Sequence, residues 1–271
     1  MNILKVGVRG LRNSALFCAL MLADQYAIAD SPEVQEINNR IKTNIQLSLR
    51  SAKVTAITAT SMEGIYQVEM ASGEVVYSNE QGTFIISGDL YQLNPGARSI
   101  NITENWRGKQ RVNLLADLDL KDMVVFSPEG ETKGVVYAFT DVDCGYCQKF
   151  HSEIPKLNSL GVEIRYLAWP RAGLKSATGD KMRSVWCAKD RKTAMTKAKR
   201  RLALETPQAD CETPIEEQLL LGHKMGVRGT PSLYLANGTR AGGYVKAVAL
   251  ATKMGITSET KIAPVPPFAP N

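Results

Sequence analysis

The chain has 271 residues, of which 44% are hydrophobic and 22% are charged, and its formal net charge is +6. This length allows one or two domains with at least one sizeable core, and the composition is that of an ordinary globular protein. No stretch is long and apolar enough for a permanent membrane span, and the mild positive charge does not indicate nucleic-acid binding. We therefore expect neither a membrane anchor nor a nucleic-acid partner.

The first 29 residues have the pattern of a signal peptide. Lys5, Arg9 and Arg12 form a basic start, a short apolar run follows, and Ala27-Ile28-Ala29 is a small-x-small cleavage pattern. The apolar run is much shorter than the roughly 20 residues that span a bilayer. We expect cleavage after Ala29 to remove residues 1–29 and the mature chain to be exported, with 30 basic and 26 acidic residues.

Four of the five cysteines remain after this cleavage, because Cys18 lies inside the apolar run. The position of Cys18 in the middle of the run, rather than at its end, argues against lipidation. An even number of cysteines in an exported chain indicates disulfide chemistry, since disulfides form and persist outside the cytoplasm. The four are Cys144, Cys147, Cys187 and Cys211.

Residues 30–102 are predicted to form an α+β domain with one helix and an antiparallel sheet. Ser31-Pro32-Glu33 combines an N-cap hydroxyl, a proline at the first helical position and an acidic side chain, which together favour a helix start. From Lys53 to about Leu93 polar and apolar residues alternate, and Ser72-Gly73 supplies one of the turns. A domain this small buries a marginal core, so we expect it to dimerise.

The rest of the chain divides into a predicted linker helix over 103–120, an α/β domain over 121–258 and a Pro-rich tail over 259–271. Within the α/β domain, a buried strand at Val135 to Phe139 leads into a helix from Cys144 to about Leu160. A second strand, a helical insertion over 177–204, another helix, a hairpin across Asn237-Gly238 and a last helix follow. We expect the tail to be disordered.

Cys144-Gly145-Tyr146-Cys147 carries the clearest chemical signal, because it stands where the buried strand turns into a helix. Free N–H groups and the positive end of the helix dipole stabilise a thiolate there and lower the pKa of Cys144. We predict that Cys144 is the exposed nucleophile and that Cys147, one turn further in, is the shielded resolving thiol. Gly145 and Tyr146 are expected to contact the substrate.

Other uses of this cysteine pair are disfavoured by its surroundings. A c-type haem site needs histidine after the second cysteine, and Gln148 stands there. A zinc site with Cys187 and Cys211 lacks a second close cysteine pair, since those two are 24 residues apart. A purely structural disulfide between Cys144 and Cys147 would be strained and easily reduced, which itself favours redox use.

Thr230-Pro231, which leads into a strand, is the second signal. An X-Pro bond at such a position can be cis, and the preceding backbone groups then face outward, where an extended peptide can dock as an added strand. An ordinary tight turn is the alternative. The combination with the cysteine pair favours docking, so Thr230 and Pro231 are predicted to bind substrate.

The sequence around these motifs resembles the DsbC family of periplasmic disulfide isomerases, within the thioredoxin superfamily. The resemblance covers roughly residues 31 to 256 and includes the order of domains. Gly145 favours this family over the related DsbG proteins, which usually carry proline there. The matching runs are Phe139-Thr140-Asp141, Arg165 to Arg171, Trp186 to Asp190 and Leu235 to Thr239.

This resemblance implies a thioredoxin-like fold for residues 121–258 and a periplasmic homodimer, joined through its N-terminal domains, with two active sites facing an apolar cleft. It implies a second, stable disulfide between Cys187 and Cys211. Misfolded, disulfide-containing exported proteins are the implied substrates, and a DsbD-type membrane thiol reductant is the implied partner. No cofactor and no metal are expected.

Two histidines and one basic segment are predicted to have no catalytic or binding role. His151 is predicted to be a polar surface residue rather than a group that tunes the thiolate, and His223 an exposed helix residue. The seven basic residues from Lys189 to Arg201 are predicted to form a solvated helix face. Three other functions stay open: a dithiol oxidase, a DsbG-like reductase of oxidised cysteines, and a non-enzymatic dimeric holdase.

Overall fold

The computed structural model describes residues 31–208 and 210–256. The predicted signal peptide (1–29) and the Pro-rich tail (259–271) lie outside these residues. The chain forms two compact units, the first ending at Asp89 and the second beginning at Leu90, and each is described by itself. Within the described residues, no helix has the length and apolar character needed to cross a bilayer.

The first unit is one helix packed on a four-stranded antiparallel sheet. Helix α1 (Pro32–Ser48) begins as predicted, with the Ser31 hydroxyl accepting a hydrogen bond from the Val34 N–H at 3.4 Å. Ile41 and Ile45 of α1 are buried against Val54, Val68 and Val76 of the sheet. The strands, in sheet order, are β1 (Val54–Ala59), β2 (Ile65–Met70), β3 (Val75–Asn79) and β4 (Ile85–Ser87).

One edge of this sheet is apolar. Within residues 31–208 and 210–256, strand β4 pairs with β3 alone, and its residues Ile85 and Ile86 are 40% and 57% exposed. Phe84, just before the strand, is 72% exposed. An edge strand with exposed apolar side chains is a surface for pairing with another chain.

The second unit begins with a short ribbon and a helix that packs into its core. Strands β5 (Tyr91–Gln92) and β6 (Ile100–Asn101) pair antiparallel and lead into helix α2 (Ile102–Ala116). Arg111 and Leu115 of α2 are buried, and Arg111 donates hydrogen bonds to the Met225 and Gly238 carbonyls. The helix predicted as a linker over 103–120 therefore ends at Ala116 and belongs to the packing of the second unit.

The second sheet has the order β11-β10-β8-β9-β7, with β8 and β9 parallel and the other pairs antiparallel. Helices cover both of its faces, so β8 at the centre is buried from Val136 to Thr140. The strands are β7 (Val124–Phe126), β8 (Gly134–Thr140), β9 (Val162–Ala168), β10 (Ser232–Leu235) and β11 (Arg240–Gly242). The helices are α3 (Gly145–Ser152), α4 (Ile154–Ser159), α5 (Ala177–Trp186), α6 (Arg191–Lys199), α7 (Ile215–Met225) and α8 (Ala247–Lys253).

This arrangement confirms the predicted fold class: a helix with an antiparallel sheet, then a mixed sheet with a helical insertion, which is α5 and α6. The helix predicted from Cys144 to about Leu160 is interrupted at Glu153, which separates α3 from α4. Pro155 explains the break, because proline has no N–H to continue the ladder and its ring crowds the preceding turn.

Candidate active site

The cysteine pair follows the carboxyl end of the central strand β8. Its last residue, Thr140, is followed by a tight loop in which the Cys144 N–H donates to the Asp141 carbonyl at 3.2 Å. The Asp143 N–H donates to the Asp141 carboxylate at 2.8 Å. Cys144 is thereby fixed as the N-cap residue of α3, with extended backbone angles, and Cys147 lies in the first helical turn.

Both cysteines are free thiols and both are buried. Cys144 exposes 3% of its surface and Cys147 none, so the prediction of an exposed nucleophile beside a shielded partner is wrong for exposed area. Tyr146, between them, is 65% exposed. Within this motif, the surface exposed to solvent is therefore that of Gly145 and Tyr146 rather than that of the two cysteines.

The loop before β10 faces Cys144. The Thr230-Pro231 peptide bond is cis, and the Cys144 thiol donates a hydrogen bond to the Thr230 carbonyl at 3.2 Å. The buried Thr230 hydroxyl oxygen has no hydrogen-bond partner among the described residues. Interaction with Thr230 is the largest influence that lowers the pKa of Cys144.

The surroundings of Cys144 favour its thiolate. Burial by itself raises the pKa of a thiol, but interactions with Thr230 and Cys147 and the positive charge of Arg171 outweigh it, and the pKa of Cys144 is lowered. Arg171 is held in place by Asp141, whose carboxylate accepts from the Arg171 backbone N–H at 2.9 Å and from its Nε at 3.0 Å.

The pKa of Cys147, in contrast, is raised. Burial raises the pKa of its thiol, and the charge of Lys199 together with hydrogen bonds from Thr140 and the Asp141 backbone offsets only part of that rise. The two cysteines thus differ in acidity as a nucleophile and a resolving thiol should. Thr230 also contributes to lowering the pKa of Cys147, so both cysteines are in contact with the same loop.

The helical insertion holds the loop in front of Cys144 from two sides. From α5, Thr178 and Lys181 bind the Asp143 carboxylate at 2.6 Å and 2.8 Å. From α6, the Lys199 ammonium group donates to the Thr140 hydroxyl at 2.6 Å and to the Asp141 carbonyl at 2.9 Å. The insertion is therefore part of the cysteine site.

Lys199 was missed by the sequence analysis, and the prediction of a solvated basic face is wrong at this residue, which is 4% exposed. A signal was present. Lys199 lies four residues after Met195, which is fully buried, so both project from the same face of α6. A lysine on the apolar face of a helix is a candidate for a buried, functional cation.

His151 also differs from its prediction as a polar surface residue. Its ring is mostly buried between the Tyr166 hydroxyl at 3.2 Å and the Thr196 hydroxyl at 3.1 Å. Burial and the charges of Lys199 and Arg200 lower the pKa of His151 to about 4, so the ring is neutral at pH 7. His223 is exposed, as predicted, and lies 4.7 Å from the Trp169 ring.

Cys187 and Cys211 are joined by a disulfide that ties the end of α5 to the segment after α6. They do not lie with Cys144 and Cys147 in a common cluster: no group of three or more His, Cys, Asp or Glu side chains in the described part of the chain is arranged to hold a metal ion.

Two thiols at a strand-to-helix turn, facing a Thr-Pro loop on a mixed sheet, define a thiol–disulfide exchange protein of the thioredoxin fold. Residues 121–255 match the thioredoxin-like domain model, and residues 27–104 match the model of the disulfide bond isomerase protein N-terminal domain. With this pair of domains and the relatives described next, the chain belongs to the DsbC family of thiol:disulfide interchange proteins.

The relatives carry the same name. The thiol:disulfide interchange protein DsbC of Salmonella typhimurium is 35% identical over 85% of this chain and 87% of its own length. The DsbC protein of Escherichia coli is 32% identical over 84% of this chain and 89% of its own length. A crystal structure of a disulfide interchange protein from Neisseria gonorrhoeae is 28% identical, with a TM-score of 0.45, and covers 51% of this chain and 96% of that one.

Proposed function

We propose that the chain isomerises wrongly paired disulfides in exported proteins, with Cys144 as the nucleophile and Cys147 as the resolving thiol. The observation that carries this proposal is the environment of Cys144. A thiol at a helix N-cap, facing Thr230 and near Arg171, has its pKa lowered in spite of burial. A thiolate that forms readily is the reactive species in disulfide exchange.

The reaction begins from the reduced pair. The Cys144 thiolate attacks one sulfur of a wrong disulfide, a mixed disulfide forms, and the other substrate sulfur leaves as a thiolate. Another thiolate of the same substrate then attacks the substrate sulfur of the mixed disulfide, so that a new substrate disulfide forms, the bond to Cys144 breaks and Cys144 leaves as a thiolate. Cys147 provides the alternative exit: it attacks Cys144, and the substrate leaves reduced.

Substrate contact is proposed for the residues that surround Cys144. Tyr146 is exposed two residues after Cys144, Gly145 leaves the helix start free of a side chain, and Thr230-Pro231 presents backbone atoms next to the thiol. The Thr230 carbonyl is within hydrogen-bond distance of the Cys144 sulfur, so a peptide extended along this loop would bring its own sulfur close.

The proposed assembly is a homodimer formed through the first unit. The apolar edge at β4 supports this assembly, since a strand edge carrying Ile85 and Ile86 is stabilised by pairing with a second copy. We further propose residues 30–102 as the dimerisation domain, 121–258 as the catalytic domain and 103–120 as the segment that connects them, with its helix α2 packed on the second unit.

We base the proposed location and redox partner of the protein on the same family membership. We propose that residues 1–29 direct export and are cleaved after Ala29, that the mature protein works in the periplasm, and that a DsbD-type membrane thiol reductant keeps Cys144 and Cys147 reduced. The isomerase cycle requires this partner, because an oxidised pair cannot attack a substrate disulfide.

Single-cysteine variants test the proposal in a refolding assay with a scrambled multi-disulfide protein. Cys144→Ser should abolish rearrangement, whereas Cys147→Ser should keep part of it and accumulate mixed disulfides, because the resolving thiol is missing. Rearrangement at the parent rate by Cys144→Ser would reject the assignment. Net oxidation of reduced substrate without rearrangement would favour the dithiol oxidase, and reduction of oxidised cysteines without rearrangement the DsbG-like reductase.

A further inference from the structure

Lys199 is a buried cation without a carboxylate partner. It is 4% exposed, and no carboxylate oxygen among the described residues lies within 4.0 Å of its nitrogen. Its hydrogen bonds go to the Thr140 hydroxyl and the Asp141 carbonyl, and the nitrogen lies 5.5 Å from the centre of the Tyr166 ring. A buried charge is costly unless something compensates it.

The groups that offset the burial of Lys199 are the two cysteines of the site and two aspartates beside them. Burial lowers the pKa of Lys199 to about 8, and among the groups that act against this lowering Cys147 is the largest, ahead of Asp141 and Cys144. Conversely, Lys199 is the largest influence that lowers the pKa of Cys147. Asp143, His151 and the Tyr166 ring complete the ionisable and aromatic groups around the ammonium.

Thr140 links the two groups. Its hydroxyl accepts a hydrogen bond from Lys199 at 2.6 Å and, as a donor, stabilises the thiolate of Cys147. A hydroxyl can donate and accept at once. When Thr140 accepts from the ammonium group, its hydroxyl becomes a stronger donor toward the Cys147 sulfur. Arg171, which is paired with the buried Asp141, lowers the pKa of Cys144, whereas Lys199 is the largest influence that lowers the pKa of Cys147.

We propose that Lys199 is a positioning residue for the resolving step: its ammonium group, linked to Cys147 through the Thr140 hydroxyl, stabilises the thiolate that attacks the mixed disulfide. The inference rests on the proposed role of Cys147 and deepens it. It gives the helical insertion a chemical role, because Lys199 is the last residue of α6.

In this step Cys147 loses its proton and the resulting thiolate attacks the Cys144 sulfur. The Cys144–Cys147 bond forms, the bond between Cys144 and the substrate breaks, and the substrate sulfur leaves as a thiolate that takes a proton from water. The enzyme pair is oxidised and the substrate is reduced, so electrons balance. The proton that Cys147 loses is released to water, so protons balance as well.

The test is the two-phase reaction of the reduced mature chain, which begins at Asp30 and lacks Cys18, with 5,5′-dithiobis(2-nitrobenzoic acid); Cys144 and Cys147 are then the free thiols, since Cys187 and Cys211 are joined. Attack by Cys144 releases one thionitrobenzoate at a rate that rises with reagent concentration. Attack by Cys147 on Cys144 then releases a second at a rate independent of reagent. The second rate is recorded from pH 5 to pH 10.

Lys199→Met should slow the second phase at pH 7 by about tenfold, the equivalent of one pKa unit, and shift its pH profile upward. The first phase should change much less. Lys199→Arg should restore part of the rate, because it keeps the charge. The exposed Lys197 on the same helix supplies the control: Lys197→Met removes an equal charge and should leave both phases unchanged.

A folded Lys199→Met protein with an unchanged second phase and pH profile would overturn the inference. If that variant does not fold, Thr140→Val removes the linking hydroxyl at nearly constant volume and should slow the second phase in the same direction, and an unchanged rate there would also overturn it. Failure of the proposed function is distinguishable, because it would appear as a missing first phase in the parent protein.

Discussion

His151 is one of two histidines in the chain, and its neutral, buried ring links stability to pH. Its pKa is about 4 in the folded protein, below the ordinary value of 6.5 that it takes in the unfolded chain. Between these values the unfolded chain binds the additional proton. Stability contributed by His151 is therefore fully present above pH 6.5 and is lost as pH falls toward 4, by about 3 kcal/mol at most.

Chemical denaturation between pH 4 and pH 7 measures this effect. His151→Gln, which keeps hydrogen-bonding capacity but does not titrate, should flatten the pH dependence of the unfolding free energy relative to the parent. His223→Gln is the matched control, because His223 is exposed on α7, and it should retain the parent slope. If His151→Gln lost stability with acid as steeply as the parent, the buried imidazole would not be the cause.

Among the residues of the cysteine site, the sequence predicted those that belong to short motifs. It missed those whose role depends on how the helices pack. Cys144, Cys147 and Thr230-Pro231 are visible as short patterns with a known chemistry. Lys199 and His151 have no motif: their environment is created when α6 packs beside α3, where His151 contacts Thr196, 45 positions away in the chain. Only the helical phase of Lys199 relative to Met195 carried a hint.

Gly238, in the turn of the β10–β11 hairpin, lies where this hairpin packs closely against helix α2. Its φ is +78°, and a Cβ atom there would lie 1.9 Å from the Gly108 carbonyl oxygen in α2. The hairpin turn and the helix thus approach each other with backbone on both sides. A Cβ atom on Gly108 would lie 3.8 Å from the Gly238 carbonyl oxygen, an ordinary contact, so the close approach requires glycine at 238 rather than at 108.

Gly238→Ala should destabilise the protein more than Gly226→Ala. Gly226 has nearly the same φ, +79°, but open space around its Cβ position. Its substitution should cost about 1–2 kcal/mol for the left-handed backbone alone. Gly238→Ala should cost a further 1–3 kcal/mol or so for displacing α2. Urea unfolding of the two variants measures the difference, and equal losses would mean that the close approach is unimportant.

The Cys187–Cys211 disulfide stabilises the insertion that holds the Asp143 loop. It spans 24 residues, and closing a loop of this length restricts the unfolded chain enough to contribute about 3 kcal/mol. The double variant Cys187→Ala/Cys211→Ala should lose about that much unfolding free energy. Thiol mapping of the parent under mild reductant should find both cysteines still joined. Two free thiols in folded, active protein would contradict this role.

The sequence predicted which elements exist better than it predicted where they pack. The strand-to-helix turn at Cys144, the hairpin at Asn237-Gly238 and the start of α1 each have a local chemical cause. The helix predicted over 103–120 had the right type and nearly the right start, but its amphipathic pattern could not tell whether it connects two domains or packs on one. Arg111 is buried against the Met225 and Gly238 carbonyls, so the helix packs on the second unit.

For the whole molecule, the proposed dimer makes isomerisation depend on the first unit. A chain that begins at Leu90, where the second compact unit starts, keeps the cysteine site and α2. We expect it to be monomeric and to exchange disulfides with small thiols at close to the full rate, but to lose most of its isomerase activity. Holding a misfolded chain through several exchanges requires more contact surface than the loop around Pro231 offers.

Light scattering and the scrambled-protein assay, applied to the mature chain and to the chain from Leu90, check this expectation. The small-thiol rate serves as the internal control for an intact site. A monomeric mature chain would remove the dimer from the proposal. Undiminished isomerase activity in the shorter chain would show that the first unit is dispensable for the reaction.

The disulfide of the insertion also determines what a break in the chain would do. Residues 202–208 have no helix or strand and are mostly exposed, and they lie between Cys187 and Cys211. A protease that cuts there leaves two polypeptides that stay covalently joined, one ending just after α6 and the other carrying α7 and the Thr230-Pro231 loop. Such a nicked protein would migrate as one species until it is reduced, and the same segment is the natural position for new termini in a circularly permuted chain.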